Sequence, residues 1–283
     1  MQEGLLLALN LLWQVSTLAL LTLGLGIVFG LLRIMNMAHG EFVMLGAYAP
    51  VVTSLLGWSA WWQVPVCVVL VGAVAWLCER LLIRHFYDRL FDSLLATWGL
   101  SILLREAVEL VFGRQYQSVA QPLAGTTEVF GVSYPSYRLL MMALMALGFI
   151  GLFAWYRRSL AATRIRAMVA NPVLARAIGI PTGALSCATF VTGCVIAGLA
   201  GLMIAPLTRV EPLMGLDDLL RSFFALIVGG LGSLEGLVIG TAIVGGLQTG
   251  VSSWIGPTTG YVAILMLSIL FLWLRPDGIA RRR

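Results

Sequence analysis

The sequence predicts an all-α polytopic membrane protein with eight or nine membrane segments, some of them broken or re-entrant helices, arranged as a weak internal repeat. Three observations predict it. Of 283 residues, 60% are hydrophobic and only 11% are charged, at a mean hydropathy of +0.95, whereas a soluble domain carries roughly 25% charged residues. Apolar runs recur along the whole chain, and the loops between them alternate between arginine-rich and arginine-poor. Residues 1–283 therefore read as one transmembrane domain, with no nucleic-acid role for the net charge of +5.

The apolar runs fall at about 5–32, 43–57, 61–79, 93–112, 138–156, 182–206, 218–232, 236–253 and 258–274. A span needs roughly 20 residues at about 1.5 Å each, so the shorter runs tilt or stop part-way. The first run follows Met1-Gln2-Glu3-Gly4 without a basic segment and reads as a retained span.

Charge orients the loops. Three stretches are basic: 78–92 (Arg80, Arg84, Arg89), 157–180 (Arg157, Arg158, Arg164, Arg166, Arg176) and the tail Arg281–Arg283. The positive-inside rule makes all three cytoplasmic, the C-terminus included. Loops 113–137 and 207–217 carry fewer arginines and more acid, and read as external. Residues 218–253 must then go in and come back, turning at "GGLGSLEG" (229–236). The same logic makes 33–42 an inner turn and puts the N-terminus outside.

Residues 14–80 run as apolar run, polar break, apolar run, Gly/Trp turn, span and Arg, and residues 218–283 follow the same order. Interrupted segments at matching positions of two halves point to a transporter's central site. The first interruption, "RIMNMAHGEFVMLG" (33–46), brings Arg33, Asn36, His39 and Glu41 within nine residues. Lipid cannot satisfy the backbone of a broken helix, and ionisable groups at depth are costly. The expectation is that Arg33 and Glu41 neutralise each other while Asn36 and His39 bond the freed backbone. Three roles stay open: a structural clamp, a pathway lining, or a cytoplasmic turn.

In "LLATWGLSILLREAVEL" (94–110), Thr97, Ser101 and Arg105 recur every four residues, a polar stripe on one helical face. Glu109 extends the stripe and is placed to pair with Arg105. The stripe suits a path lining and interhelical hydrogen bonding equally. Gly232, Gly236 and Gly240, and separately Gly193, Gly198 and Gly201, make small faces that let helices approach closely. In "TRIRAMVANPVLARAIGIPTGA" (163–184), Asn171-Pro172 starts a short helix over 173–178 and Gly179 stops it. Such a basic helix suits insertion into a partner's groove, or it is a solvated loop.

Composition also excludes. All 18 basic residues are Arg, so the chain has no lysine for a P-loop or a Schiff base, and any nucleotide must be hydrolysed by another subunit. Cys67, Cys78, Cys187 and Cys194 lack metal or redox spacing and read as packing residues. With two histidines, no metal cage or other bound cofactor is expected. The sequence has no hydrolase triad, HExxH or nucleophile elbow, so it reads as a transport subunit rather than an enzyme. Glu41, Glu106 and Glu235 could carry protons, which keeps a stand-alone ion-coupled secondary transporter as the alternative.

Four stretches in order, "GLGIVFGLLRIMNMAHGEFVMLGAY", "LLATWGLS", "RAMVANPVLARAIGI" and "FFALIVGGLGSLEGLVIGTAI", resemble the permease subunits of ABC importers for branched-chain amino acids and for urea or short-chain amides. "LLATWGLS" and the Asn-x-Ala-His-Gly-Glu core look closer to the urea/amide branch. The resemblance covers nearly the whole chain, with the external loop 113–137 departing from it. It implies a small polar solute moved across a bacterial inner membrane by alternating access. The implied partners are a second, related permease, two ATPase subunits that use ATP and Mg, and a periplasmic solute-binding protein. It further implies that the loop 157–181 holds an ATPase through Arg164, Arg166, Asn171, Ala175, Arg176 and Gly179. Asn36, His39, Glu41, Thr97, Ser101, Ser233 and Glu235 would then line the path or brace its helix breaks.

Overall fold

Each apolar run folds as a helix in the computed structural model, which describes residues 2–87, 89–230, 233–274 and 278–279. In chain order the helices are α1 (Gln2–Leu32), α2 (His39–Leu55), α3 (Gln63–Leu81), α4 (Leu90–Phe112), α5 (Ser136–Arg158), α6 (Leu160–Ala170), α7 (Pro172–Ala177), α8 (Thr182–Ile204), α9 (Met214–Gly229), α10 (Leu234–Trp254) and α11 (Pro257–Leu274). The segments built on α1, α3, α5, α8 and α10 are long and apolar enough to cross a membrane. Helices α2 and α9 have 17 and 16 residues, only about 25 Å each at 1.5 Å per residue, so they fall short of a roughly 30 Å hydrocarbon core. The tail Arg281–Arg283, which the charge pattern predicts to be cytoplasmic, and the turn glycine Gly232 lie outside the described residues.

Helix α1 is unbroken over 31 residues, about 46 Å, longer than a bilayer core. Its N-terminal turns stand beside a β-hairpin that an all-α reading did not contain. Strands β1 (Thr126–Val129) and β2 (Val132–Pro135) pair antiparallel within the loop 113–137. Their turn residues Phe130 and Gly131 both have positive φ, +47° and +81°, the handedness that matches strand twist in a two-residue hairpin. Tyr134 Oη donates to Asn10 Oδ1 at 3.2 Å, and Gln2 Nε2 donates to the Gly131 carbonyl at 3.3 Å. Gln117 and Val210 bridge loops 113–125 and 205–213 at the same end. The opposite end gathers residues 82–87, α6, α7 and the facing ends of α9 and α10.

Helix α2 is the centre of the bundle, buried from His39 through Val51. It is apolar almost all round, which suits a helix with neighbours on every side: α1, α3, α4, α8 and α9 surround it. Glycines make the closest approaches, and a Cβ on Gly201 of α8 would strike the Val43 carbonyl of α2. A Cβ on Gly46 would strike the Gly198 carbonyl of α8, and a Cβ on Gly40 would strike the Gly215 carbonyl of α9. On the other predicted glycine face, Gly240 meets the backbone of Ala225 and Gly229, and the Gly236 carbonyl abuts Gly229.

The order helix, break, helix, turn, helix recurs in α1–α3 and α9–α11. The packing does not recur. Helix α9 lies along α10, whereas α1 meets α2 over a much smaller area, because α2 sinks into the core between α8 and α9.

Candidate functional site

The break between α1 and α2 spans 33–38, shorter than the predicted 33–42. His39 and Glu41 belong to the first turn of α2, where a carboxylate is favoured by the positive end of the helix dipole. Arg33 closes α1 in the left-handed region (φ +56°), its N–H bonding the Phe29 carbonyl at 3.0 Å. Its side chain is exposed at that end, so the expected Arg33–Glu41 pair does not form.

Protein groups satisfy part of the backbone of the break. Asn36 Oδ1 accepts the Ala38 N–H at 3.1 Å, and the Asn36 carbonyl accepts the His39 N–H at 3.2 Å. From α4, Thr97 Oγ1 accepts the Met37 N–H at 3.0 Å and lies 2.9 Å from the Met35 carbonyl, to which it can donate. His39 Nε2 lies 3.0 Å from the Leu21 carbonyl of α1. Helix α2 therefore starts eleven residues short of the Leu32 end of α1, about 16 Å along its axis. The break climbs back into the bundle before α2 begins.

One turn further along α4, Glu41 Oε1 accepts from Ser101 Oγ and from the Arg105 guanidinium, both at 2.8 Å. Arg105 therefore serves Glu41 rather than Glu109, which pairs with Arg114 at 2.7 Å. The structure thus brings together Asn36, His39, Glu41, Thr97 and Ser101, all buried, and adds Arg105. That partner was visible in the stripe at 97–105, but its distance of sixty-four residues from Glu41 hid the pairing.

Ser233 and Glu235 lie at the other break. Ser233 caps α10, its Oγ accepting the Gly236 N–H at 2.8 Å. It also lines a cavity of about 220 Å³ with Gly26, Ile27, Tyr156, Ile165 and Thr189. Glu235 is exposed, on a neighbouring groove that Arg157 and Arg158 also line.

At the arginine-rich end, Asn171 Oδ1 accepts the N–H groups of Val173 and Leu174 at 3.1 and 3.0 Å, capping α7 over Pro172. Gly179 has φ +83°, the left-handed stop that glycine supplies after a helix. Arg164, Arg176 and Gly179 are exposed. The other two predicted residues differ: Ala175 is buried in the core, and Arg166 is half-buried, stacking over Tyr156 of α5 at 5.1 Å. Beside Arg176 the displayed surface is apolar, with Val173 67%, Leu174 58% and Ile178 66% exposed, three residues that the charge-based reading missed. Nearby, Tyr87 Oη donates to Glu79 Oε1 at 2.9 Å; burial, and then the Glu79 charge, push its phenol well above the usual range, so this donor keeps its proton.

The family described as "Branched-chain amino acid transport system / permease component" matches residues 7–274. The high-affinity branched-chain amino acid transport system permease protein LivH of Escherichia coli K12 is 28% identical over 285 residues, covering 94% of this chain and 92% of its own. The corresponding BraD of Pseudomonas aeruginosa is 27% identical with the same coverage. A probable LivH of Methanocaldococcus jannaschii is 25% identical over 93% of this chain and 88% of its own. Among solved structures, a chain of PsaBC from Streptococcus pneumoniae in complex with Fab shares the fold at TM-score 0.54 and 10% identity, over 95% of this chain and 91% of that one.

Proposed function

The chain belongs to the family of branched-chain amino acid transport permease components, and we propose that it is the membrane-embedded conduit of an ABC importer, moving aliphatic amino acids inward. Its relatives are named as permeases for branched-chain amino acids, which favours that class over the urea or short-chain amides suggested by "LLATWGLS". The partners are two ATPases beneath, a second permease alongside and a periplasmic solute-binding protein. The C-terminus is cytoplasmic, on the side of the arginine-rich loops.

The observation that carries this reading is α7. It is a capped helix at the arginine-rich end that, among the described residues, leaves Val173, Leu174 and Ile178 exposed. Exposed apolar clusters of this kind mark protein contact sites, and a chain without lysine must borrow its ATPase. When the ATPases close on ATP, α7 is drawn with them; its buried Ala175 and the Arg166–Tyr156 stack pass the movement to α5 and α8. The Thr97 and Glu41–Arg105 contacts hold the midplane break in one shape as the bundle rocks.

The test is reconstitution of the chain with its ATPases, partner permease and binding protein in proteoliposomes. ATP-driven leucine uptake is expected. Uptake driven by a pH gradient without any ATPase, or uptake of urea but not leucine, would overturn the assignment.

A further inference from the structure

Helix α9 is amphipathic, with Asp217, Asp218 and Arg221 in its first half and Ser222 next, while α1, α2, α5, α8 and α11 are apolar nearly all round. A helix with a charged side needs water or polar protein on that side.

Its depth is set by contacts. The Gly215 backbone touches that of Gly40, in the turn of α2 that begins beside Leu21 of α1. The first ten residues of α1 run beside the hairpin, which leaves residues 11–32, about 33 Å, for a roughly 30 Å core. Leu21 falls near the middle of that length, so α9 begins at mid-depth. There Asp217 is exposed, and Leu213, Leu216 and Leu220 are 53%, 43% and 46% exposed around it. A charge aimed at hydrocarbon is costly, so this face of α9 looks onto water.

Arg221 stands one turn beyond Asp217. It makes no ion pair with Asp217 or Asp218 among the described residues, although spacings of three and four residues favour such pairs. Its guanidinium lies 4.6 Å from the Tyr261 ring of α11, and its buried Nε has no hydrogen-bond partner. The adjacent Ser222, 0% exposed, also has an unpartnered hydroxyl. Buried polar atoms are seldom left unmatched unless something else binds them.

We propose that the exposed face of α9 is a wall of the solute path, where Asp217 and Arg221 receive the ammonium and carboxylate of a zwitterionic amino acid. Leu213, Leu216 and Leu220 contact its aliphatic side chain. Residues four apart on a helix hold their Cβ atoms roughly 5–6 Å apart, a separation that two long side chains can close on groups sharing one α-carbon. A neutral amide would have no use for the pair. The inference rests on the importer reading above.

The test uses the whole importer in proteoliposomes. Arg221→Gln and Asp217→Asn should each lower leucine turnover about tenfold or more, the scale of losing one charged hydrogen bond, while the ATPases still co-purify. Arg221→Lys should retain more turnover than Arg221→Gln. Leu216→Cys should react with a charged, membrane-impermeant thiol reagent above the background of the parental cysteines, and leucine should slow that reaction. Parental turnover in both charge variants, or an unreactive Leu216→Cys, overturns the inference. If the parental complex itself takes up no leucine with ATP, the importer reading has failed, and this inference with it; parental uptake beside unchanged variants removes this inference alone.

Discussion

The Arg105 guanidinium of α4 lies 2.8 Å from Glu41 Oε1 in the first turn of α2, with the two side chains 19% and 3% exposed. Removing one member of such a buried pair leaves the other charge uncompensated, which costs about 3–5 kcal/mol. Glu41→Gln and Arg105→Gln should each lower the unfolding temperature of the purified complex sharply. The double variant should be less destabilised than the two singles summed, as coupled residues are. Additive losses in that cycle would mean that the pair does not hold the break.

Thr97 should matter through its hydroxyl alone. Thr97→Val keeps the shape but leaves the Met37 N–H without its acceptor, and an unmatched buried group costs about 1–3 kcal/mol. Thr97→Ser should restore most of that stability. The check is thermal unfolding of both variants beside hydrogen exchange at Met37, which should accelerate in the Val variant only.

The helical segments were readable because apolar runs in a polytopic chain leave little choice of structure, and the cap at Asn171 follows from the local chemistry of Asn-Pro. Partners across the bundle were less readable. Sequence proximity suggested Arg33 for Glu41 and Arg105 for Glu109, but α1 ends in the left-handed region at Arg33 and turns that side chain outward. The climb of residues 33–38 to mid-depth was hidden too, since it depends on His39 reaching Leu21 and on Thr97 arriving from α4. The hairpin at 126–135 was missed because its strands are four residues each, too short to announce a periodicity of two. The inward face of Ala175 was missed for a different reason: six residues of helix are too few to show which side packs.

Helix α7 offers a stability-neutral probe of coupling. Leu174 is more than half exposed, and exposed substitutions usually change stability by less than about 0.5 kcal/mol. Leu174→Asp should therefore leave membrane insertion unchanged while abolishing solute-stimulated ATP hydrolysis, because it buries a charge in the ATPase contact. Normal stimulation in the assembled variant would remove α7 from that contact.

Gly40 and Gly215 offer a sharper test of how the two short helices meet. Each faces the other's carbonyl so closely that a Cβ on either would overlap it, and backbone, unlike the end of a flexible side chain, cannot swing away. Overpacking a tight site costs about 1–3 kcal/mol, but here the strain falls where α2 and α9 both begin and where His39 reaches Leu21. Gly215→Ala should therefore push the two helix starts apart, loosening the His39–Leu21 contact and the Thr97 hold on Met37 together. Hydrogen exchange should rise over 35–39 in this variant, whereas Gly246→Ala, whose Cβ would meet open space on α10, should leave that segment protected. Equal protection of 35–39 in both variants would mean that the Gly40–Gly215 contact does not set the position of the break.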